Sequence, residues 1–368
     1  MLCLLAVPCF ALEGTVTVGA PSALLMTPDG QVLFEKDAHT PREPASVTKV
    51  MTMLLIMEAI DSGKIGWNDM VTASESAAAK GGSQIYLKVG EQMSVTDMVK
   101  SIAVSSANDC ACAMAEHIAG SESAFVEMMN SRAKELGMQD TRFVNCTGLD
   151  DGPEAENHRT SAHDIAIMSR ELMKHHPDIK KFTTIWMDTV RNGAFGLSNT
   201  NKLIRFYPGA TGLKTGFTSG AGYCLSATAE REGLELIAVV MGCTTSQERT
   251  AACKGMLDYG FANFAVVNPD LTEQNTAVPV KLGKENSICA ILGGDTGLLI
   301  DKAKKSSITT EVTLADTVTA PVAKGQNLGT MTIKAGDQVL AEVPLVAAED
   351  VPRLTWGDLF VGVLRKAA

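Results

Sequence analysis

The chain has 368 residues, more than one ordinary domain, so two domains are expected. With 45% hydrophobic and 20% charged residues it has the apolar material for a sizeable core. A formal charge of −10, with no basic stripe interleaved with aromatics, argues against nucleic acid as a partner.

Residues 1–11, Met-Leu-Cys-Leu-Leu-Ala-Val-Pro-Cys-Phe-Ala, read as the end of a secretory signal, with a small-x-small cleavage site at Cys9-Phe10-Ala11. The basic segment that opens such signals is missing, which would put the true start upstream. A short buried strand is the alternative reading. No other run reaches the roughly 18 apolar residues that span a bilayer. Ala23–Met26 and Gln31–Phe34 flank Thr27-Pro28-Asp29-Gly30 and predict a hairpin.

Pro44-Ala45 opens an apolar helix that runs through Lys49 to Met57, because proline is well placed at a helix start. Ser46 and Lys49 stand three apart, on one helical face, so their polar ends can meet. A serine becomes a nucleophile when a neighbouring base takes its proton. A lysine is that base only where burial or a nearby cation keeps it neutral. Spacing alone does not decide the matter, since Ser131-Arg132-Ala133-Lys134 repeats it in a polar surface helix.

Val95–Val104, Asp109–Ala119 and Phe125–Leu136 read as helices, and Asn145 to Arg159 as a polar loop. Ser161 caps a further helix to Lys174. Lys214-Thr215-Gly216 begins a second strand region, with Tyr223–Ala229 and Leu234–Met241 joined by a tight turn, and Gln247–Phe264 is a helix. Strands at both ends with helices between them predict a mixed sheet covered by helices. Near Asn268-Pro269 the character changes, and residues 270–348, rich in Thr and Val with glycine turns, predict a small all-β domain. In the tail, Arg353–Lys366 places Trp356, Leu359, Phe360, Val363 and Leu364 on one helical face. Such a helix is too short to span a membrane; it lies in an interface or packs on the protein.

Of nine cysteines, seven remain after the leader, an odd number in mostly apolar surroundings. They read as small buried hydrophobes more than as a disulfide framework, and Cys110-x-Cys112 lacks metal-ligand spacing.

Downstream of Ser46-Val47-Thr48-Lys49 come Ser106-Ala107-Asn108 and Lys214-Thr215-Gly216, each the only S-x-N or K-T-G in the chain. These three elements in this order form a known acyl-transfer signature. With Asn145-Cys146-Thr147-Gly148-Leu149, the leader, the β-rich second domain and the amphipathic tail, the chain resembles the serine-type D-alanyl-D-alanine carboxypeptidases. These are the low-molecular-mass penicillin-binding proteins of the peptidase S11 type. The resemblance covers the whole mature chain. It implies an α+β fold: a transpeptidase-like domain, an antiparallel sheet covered by helices, over residues 12–266, and a small β-sandwich-like domain over 267–350. A membrane-associating helix over 351–368 follows.

The resemblance also implies roles. Ser46 attacks the carbonyl of the penultimate D-Ala of a peptidoglycan stem peptide, giving an acyl-enzyme that water hydrolyses. Lys49 is the base, its pKa lowered by burial and by Lys214. Ser106 relays protons, and Asn108 holds substrate and Lys49. Lys214, Thr215 and Gly216, with Phe217, bind the substrate, whose terminal carboxylate meets Lys214 and Thr215. The N–H groups of Ser46 and Phe217 receive the oxyanion. Arg249 helps hold the carboxylate or is a solvated helix-start cation, and His158 stands beside the active-site loop among the binding residues. β-Lactams are covalent inhibitors, no cofactor or metal is implied, and the protein is exported to the outer face of the cytoplasmic membrane. Phe217 replaces the histidine of several relatives and Cys146 a common proline; neither removes a catalytic group.

Two other readings compete. A serine β-lactamase needs a dedicated deacylating base, which Glu154-Ala155-Glu156-Asn157 echoes only faintly, without the Leu-Asn ending. The other is a non-catalytic wall-binding or β-lactam-sensing protein on the same fold.

Overall fold

The computed structural model describes residues 16–152, 154–272, 274–294, 297–358 and 360; the leader expected over 1–11 and the end of the tail lie outside them. The chain divides into two units between Phe261 and Ala262.

The first unit opens with β1 (Ser22–Met26) and β2 (Val32–Lys36), a hairpin turned by Pro28-Asp29-Gly30. A 3-10 turn at Ala45–Thr48 leads into α1 (Lys49–Asp61). The ribbon β3 (Met70–Thr72) and β4 (Gln92–Ser94) brackets α2 (Glu75–Ala78). Then come α3 (Val95–Ser105), α4 (Asn108–Ala119), α5 (Glu122–Glu135), α6 (Ala162–His175) and α7 (Lys180–Thr183). The hairpin β5 (Met187–Val190) and β6 (Phe195–Ser198) and the turn α8 (Leu203–Phe206) precede β7 (Ala210–Thr218), β8 (Gly222–Arg231), β9 (Leu234–Cys243) and α9 (Ser246–Asn263). Serine side chains fix four helix starts: Ser74, Ser94, Ser121 and Ser161 accept from the N–H three residues on.

The main sheet runs β2-β1-β9-β8-β7 and is antiparallel throughout, which corrects the mixed sheet expected from the element order. Alternate residues serve its two faces. Leu24, Ile237 and Val239 join the core around α1, and a Cβ on Gly260 of α9 would meet Leu25 and Leu236 from the other side. Every residue from Lys49 to Met57 is buried, as suits a helix apolar all round. Strand β7 is one edge of the sheet, and the 3-10 turn that carries Ser46 packs against it at Gly216. Ser131 and Lys134 are exposed on α5, so the second S-x-x-K pair is a surface feature.

The second unit takes in β10 (Phe264–Val267), which pairs with β13 (Leu298–Asp301). Its other strands are β11 (Ala277–Lys281), β12 (Ser287–Leu292), β14 (Ile308–Leu314), β15 (Val318–Thr319), β16 (Asn327–Ala335) and β17 (Gln338–Ala347), in the order β14-β16-β17-β12-β11-β15. Alternation along β11 and β12 buries Val278, Val280, Ile288 and Ala290 with Met331, Ile333 and Leu345 in a core of its own. Of the tail, residues 353–358 and 360 are described, with Trp356 and Phe360 exposed. Among the described residues no helix is long and apolar enough to cross a membrane.

Candidate active site

The helix expected from Pro44 begins as a 3-10 turn, with α-helical geometry only from Lys49. In a 3-10 turn residues three apart eclipse, which brings Ser46 and Lys49 together more directly than an α-helix would. Lys49 Nζ lies 2.9 Å from Ser46 Oγ and 2.7 Å from the Thr147 carbonyl, and the side chain is fully buried. Burial lowers its pKa to about 7, with Cys146 and Asp109 opposing. A lysine near neutrality can accept a hydroxyl proton.

Lys214, which the resemblance credits with part of this effect, does not lead it. The repulsion between the two ammoniums shows on Lys214, held well below its ordinary value by burial first and then by Lys49 and Arg249. Its Nζ donates to the Thr215 carbonyl at 2.9 Å.

A break between two helices presents the S-x-N pair. Helix α3 ends at Ser106 in the left-handed region (φ 62°), and α4 starts at Asn108. Ser106 Oγ and Asn108 Oδ1 are buried with no protein partner, the mark of groups aimed into a cleft. Asn108 Nδ2 donates to Gly81 O at 2.7 Å, and Asp109 accepts from the N–H groups of Ile85 and Leu87 at 3.1 and 3.0 Å. These bonds moor the 80–91 loop beside the site.

The K-T-G residues lie on edge strand β7. Thr215 Oγ1 donates to Thr200 Oγ1 at 2.7 Å. A side chain on Gly216 would meet the Pro44 carbonyl, Val47 and Ala45, so glycine lets β7 run against the Ser46 turn. Phe217 is 54% exposed, its ring 4.3 Å from that of Tyr223. Only its N–H belongs to the expected chemistry, so the exposed ring is no obstacle.

Arg249 is not a solvated cation. It is buried, donates through Nη1 to Gly216 O at 3.2 Å and Cys224 O at 3.4 Å, and lies 5.5 Å from the Tyr223 ring centre. It braces the strand that carries Lys214.

His158, expected among the substrate-binding residues, is instead closed off. It is 3% exposed and both ring nitrogens are engaged, Nδ1 accepting from Val144 N–H at 3.2 Å and Nε2 lying 2.7 Å from Thr48 Oγ1. Burial, with Arg159 and Lys49 nearby, pushes its pKa down to about 4, so it is neutral.

Sequence reasoning passed over the backbone that holds Lys49. Asn145 Oδ1 accepts from the N–H groups of Thr147 and Gly148, folding the loop so that Thr147 O faces Lys49 and Cys146 O faces Thr52 Oγ1 at 2.6 Å. The signal was an Asn with a Gly three residues on, a turn pattern. Glu154 is exposed and paired with Arg142, and Glu156 is exposed, so neither stands as a deacylating base beside Ser46. Among the described residues no His, Cys, Asp and Glu group could hold a metal. Six described cysteines are buried and unbridged, and Cys289 is exposed.

Residues 11–245 match the D-alanyl-D-alanine carboxypeptidase family and residues 268–353 the penicillin-binding protein 5 C-terminal domain. The chain is 45% identical to the D-alanyl-D-alanine carboxypeptidase DacF of Bacillus subtilis over 340 residues, 91% of this chain and 86% of the relative. Penicillin-binding protein 5 of Haemophilus influenzae superposes with a TM-score of 0.74 at 32% identity, covering 92% of this chain and 99% of that one. Penicillin-binding protein D2 of Listeria monocytogenes, solved in its ampicillin-bound form, does so with a TM-score of 0.61 at 30% identity, over 67% and 100%. The serine beside its buried lysine thus sits in a shared fold, and the chain belongs to the serine D-alanyl-D-alanine carboxypeptidase family.

Proposed function

We propose that this carboxypeptidase works through an ester on Ser46, formed with the penultimate D-Ala of a peptidoglycan stem peptide. Lys49 takes the hydroxyl proton as Ser46 Oγ attacks the carbonyl carbon. The tetrahedral oxyanion sits on the N–H groups of Ser46 and Phe217. The C–N bond then breaks, and terminal D-Ala leaves with a proton passed from Lys49 through Ser106. Water cleaves the ester by the reverse route and Ser46 recovers its proton. Lys214 and Thr215 receive the terminal carboxylate, while Arg249 holds the strand that presents them. Asn108 orients the substrate backbone.

One observation carries the reading: a fully buried lysine with a pKa near 7 lies 2.9 Å from a serine hydroxyl. A β-lactam mimics the scissile amide, and the ampicillin-bound Listeria neighbour supports the extension to this chain. Intact-mass measurement with penicillin should show one slowly released adduct on Ser46, and a peptide ending in D-Ala-D-Ala should lose D-Ala. Lys49→Ala should abolish both; wild-type behaviour of that variant removes Lys49 from the mechanism.

The leader over 1–11 and the tail over 351–368 support a further part of the proposal, export to the outer face of the cytoplasmic membrane with peripheral anchoring and a part in cell-shape maintenance. Deleting residues 350–368 should move the protein from membrane to soluble fractions, and an unchanged distribution rejects the anchor.

A further inference from the structure

We propose that Thr48 and His158 are positioning residues that aim the Ser46 backbone N–H into the oxyanion hole. The inference rests on the reading of Ser46 N–H as an oxyanion donor. It starts from a hydrogen-bond chain whose direction is fixed at every link. Val144 N–H can only donate, so His158 Nδ1 accepts, 3.2 Å away. A neutral imidazole has one N–H, which is therefore on Nε2 and is donated to Thr48 Oγ1 at 2.7 Å. The single hydroxyl proton of Thr48 goes on to the Ala45 carbonyl at 2.8 Å.

That carbonyl belongs to the peptide unit whose other end is Ser46 N–H. The unit is planar, so fixing its oxygen fixes where the N–H points. Hydrogen bonds in series polarise one another, so a donor on the carbonyl also strengthens the N–H opposite. The unit needs holding, because Ala45 has φ +47°, a left-handed conformation that a non-glycine residue keeps only when its surroundings hold it there. Gly148, itself at φ +80°, closes over the same oxygen, where any Cβ would overlap it. The chain ends inside the protein at Val144, with no atom left over for substrate. His158 acts through Thr48, and Thr48 through the peptide unit.

Losing an oxyanion donor outright costs about 100- to 1000-fold in rate, so a misaimed one should cost about 10- to 100-fold. The test separates penicillin binding (Kd) from acylation (k2) by stopped-flow on the full chain. Thr48→Val, close in shape but without the hydroxyl, should lower k2 by that factor with Kd within twofold. Thr48→Ser, which restores the hydroxyl, should recover most of it. A k2 for Thr48→Val within twofold of wild type, or a loss confined to Kd, overturns the inference. Should Thr48→Val fail to fold, His158→Leu and His158→Gln carry the same comparison. The glutamine keeps an N–H donor for Thr48 and should acylate at least several-fold faster than the leucine; equal rates overturn the inference. Absence of any wild-type adduct on Ser46 instead overturns the reading beneath it.

Discussion

Lys49 and Lys134 each stand three residues after a serine, yet one is fully buried and the other exposed on α5. Desolvation penalises the ammonium, and the penalty is what brings Lys49 to a pKa of about 7. The sign of the pH dependence follows. The base is the neutral amine, so acylation is slow below pH 7, rises through about 7 and levels off above it. Measured acylation rates with penicillin should show one ascending limb centred there; a flat profile from pH 6 to 9 would rule out proton transfer to Lys49. Lys214 poses the complementary case. Burial and its two cationic neighbours work against its charge, and the substrate carboxylate of the proposed mechanism would offset them. Both motifs were plain in the sequence, because S-x-x-K and K-T-G are tied to spacing. The burial that separates Lys49 from Lys134 showed only as an apolar run after the first.

At the scale of elements, the nucleophile turn is clasped from two sides, by the 145–149 loop and by edge strand β7. Gly148 and Gly216 allow the approach, one against the Ala45 carbonyl and one against that of Pro44. Gly148→Ala therefore meets two penalties, a positive φ and an overlap with backbone that cannot yield. It should destabilise the first unit by more than about 2 kcal/mol and remove penicillin labelling. Gly233→Ala is the control, because Gly233 also has a positive φ, +77°, but open space where the Cβ would go. It should cost about 1 kcal/mol and leave labelling intact. Equal losses in the two variants, read from denaturant midpoints, would refute the clasp. These contacts join positions more than sixty residues apart, and nothing in local sequence announced them. The sheet order was equally hidden: strands at both ends of the domain fit a mixed or an antiparallel sheet, and only the pairing of β1 with β9 decides. The hairpin at Pro28-Asp29-Gly30 and the Ser161 cap were readable because their signals are local.

For the whole molecule, among the described residues, each unit has a hydrophobic core, one around α1 and one formed by residues between Val278 and Val351. Separate cores unfold separately unless coupled. Calorimetry should therefore resolve two transitions, and penicillin should raise only that of the first unit. A single transition that moves as one would contradict this. The change of composition near Asn268 made the second domain visible in the sequence. The division itself, between Phe261 and Ala262, was not, because α9 runs through Asn263 and β10 follows at once, with no linker between them. His158 shows where sequence reasoning stops at the site. Its place in the 145–159 loop was legible, but its tautomer, and with it its inability to touch substrate, depends on Val144 and Thr48.

The buried cysteines make the molecule its own conformational reporter. Burial raises the thiol pKa of Cys110, Cys224, Cys243 and Cys253, and a hydrogen bond with Cys112 followed by burial raises that of Cys146, so thiolate is disfavoured at those positions in the folded chain. Cys289, exposed in the second unit, is open to a reagent at all times. Redox inertness in the first unit is then a property of the native state and not of its residues. Under the export proposed above, the chain must fold before its thiols find one another, and the rate at which a maleimide reaches them counts the openings of the catalytic unit.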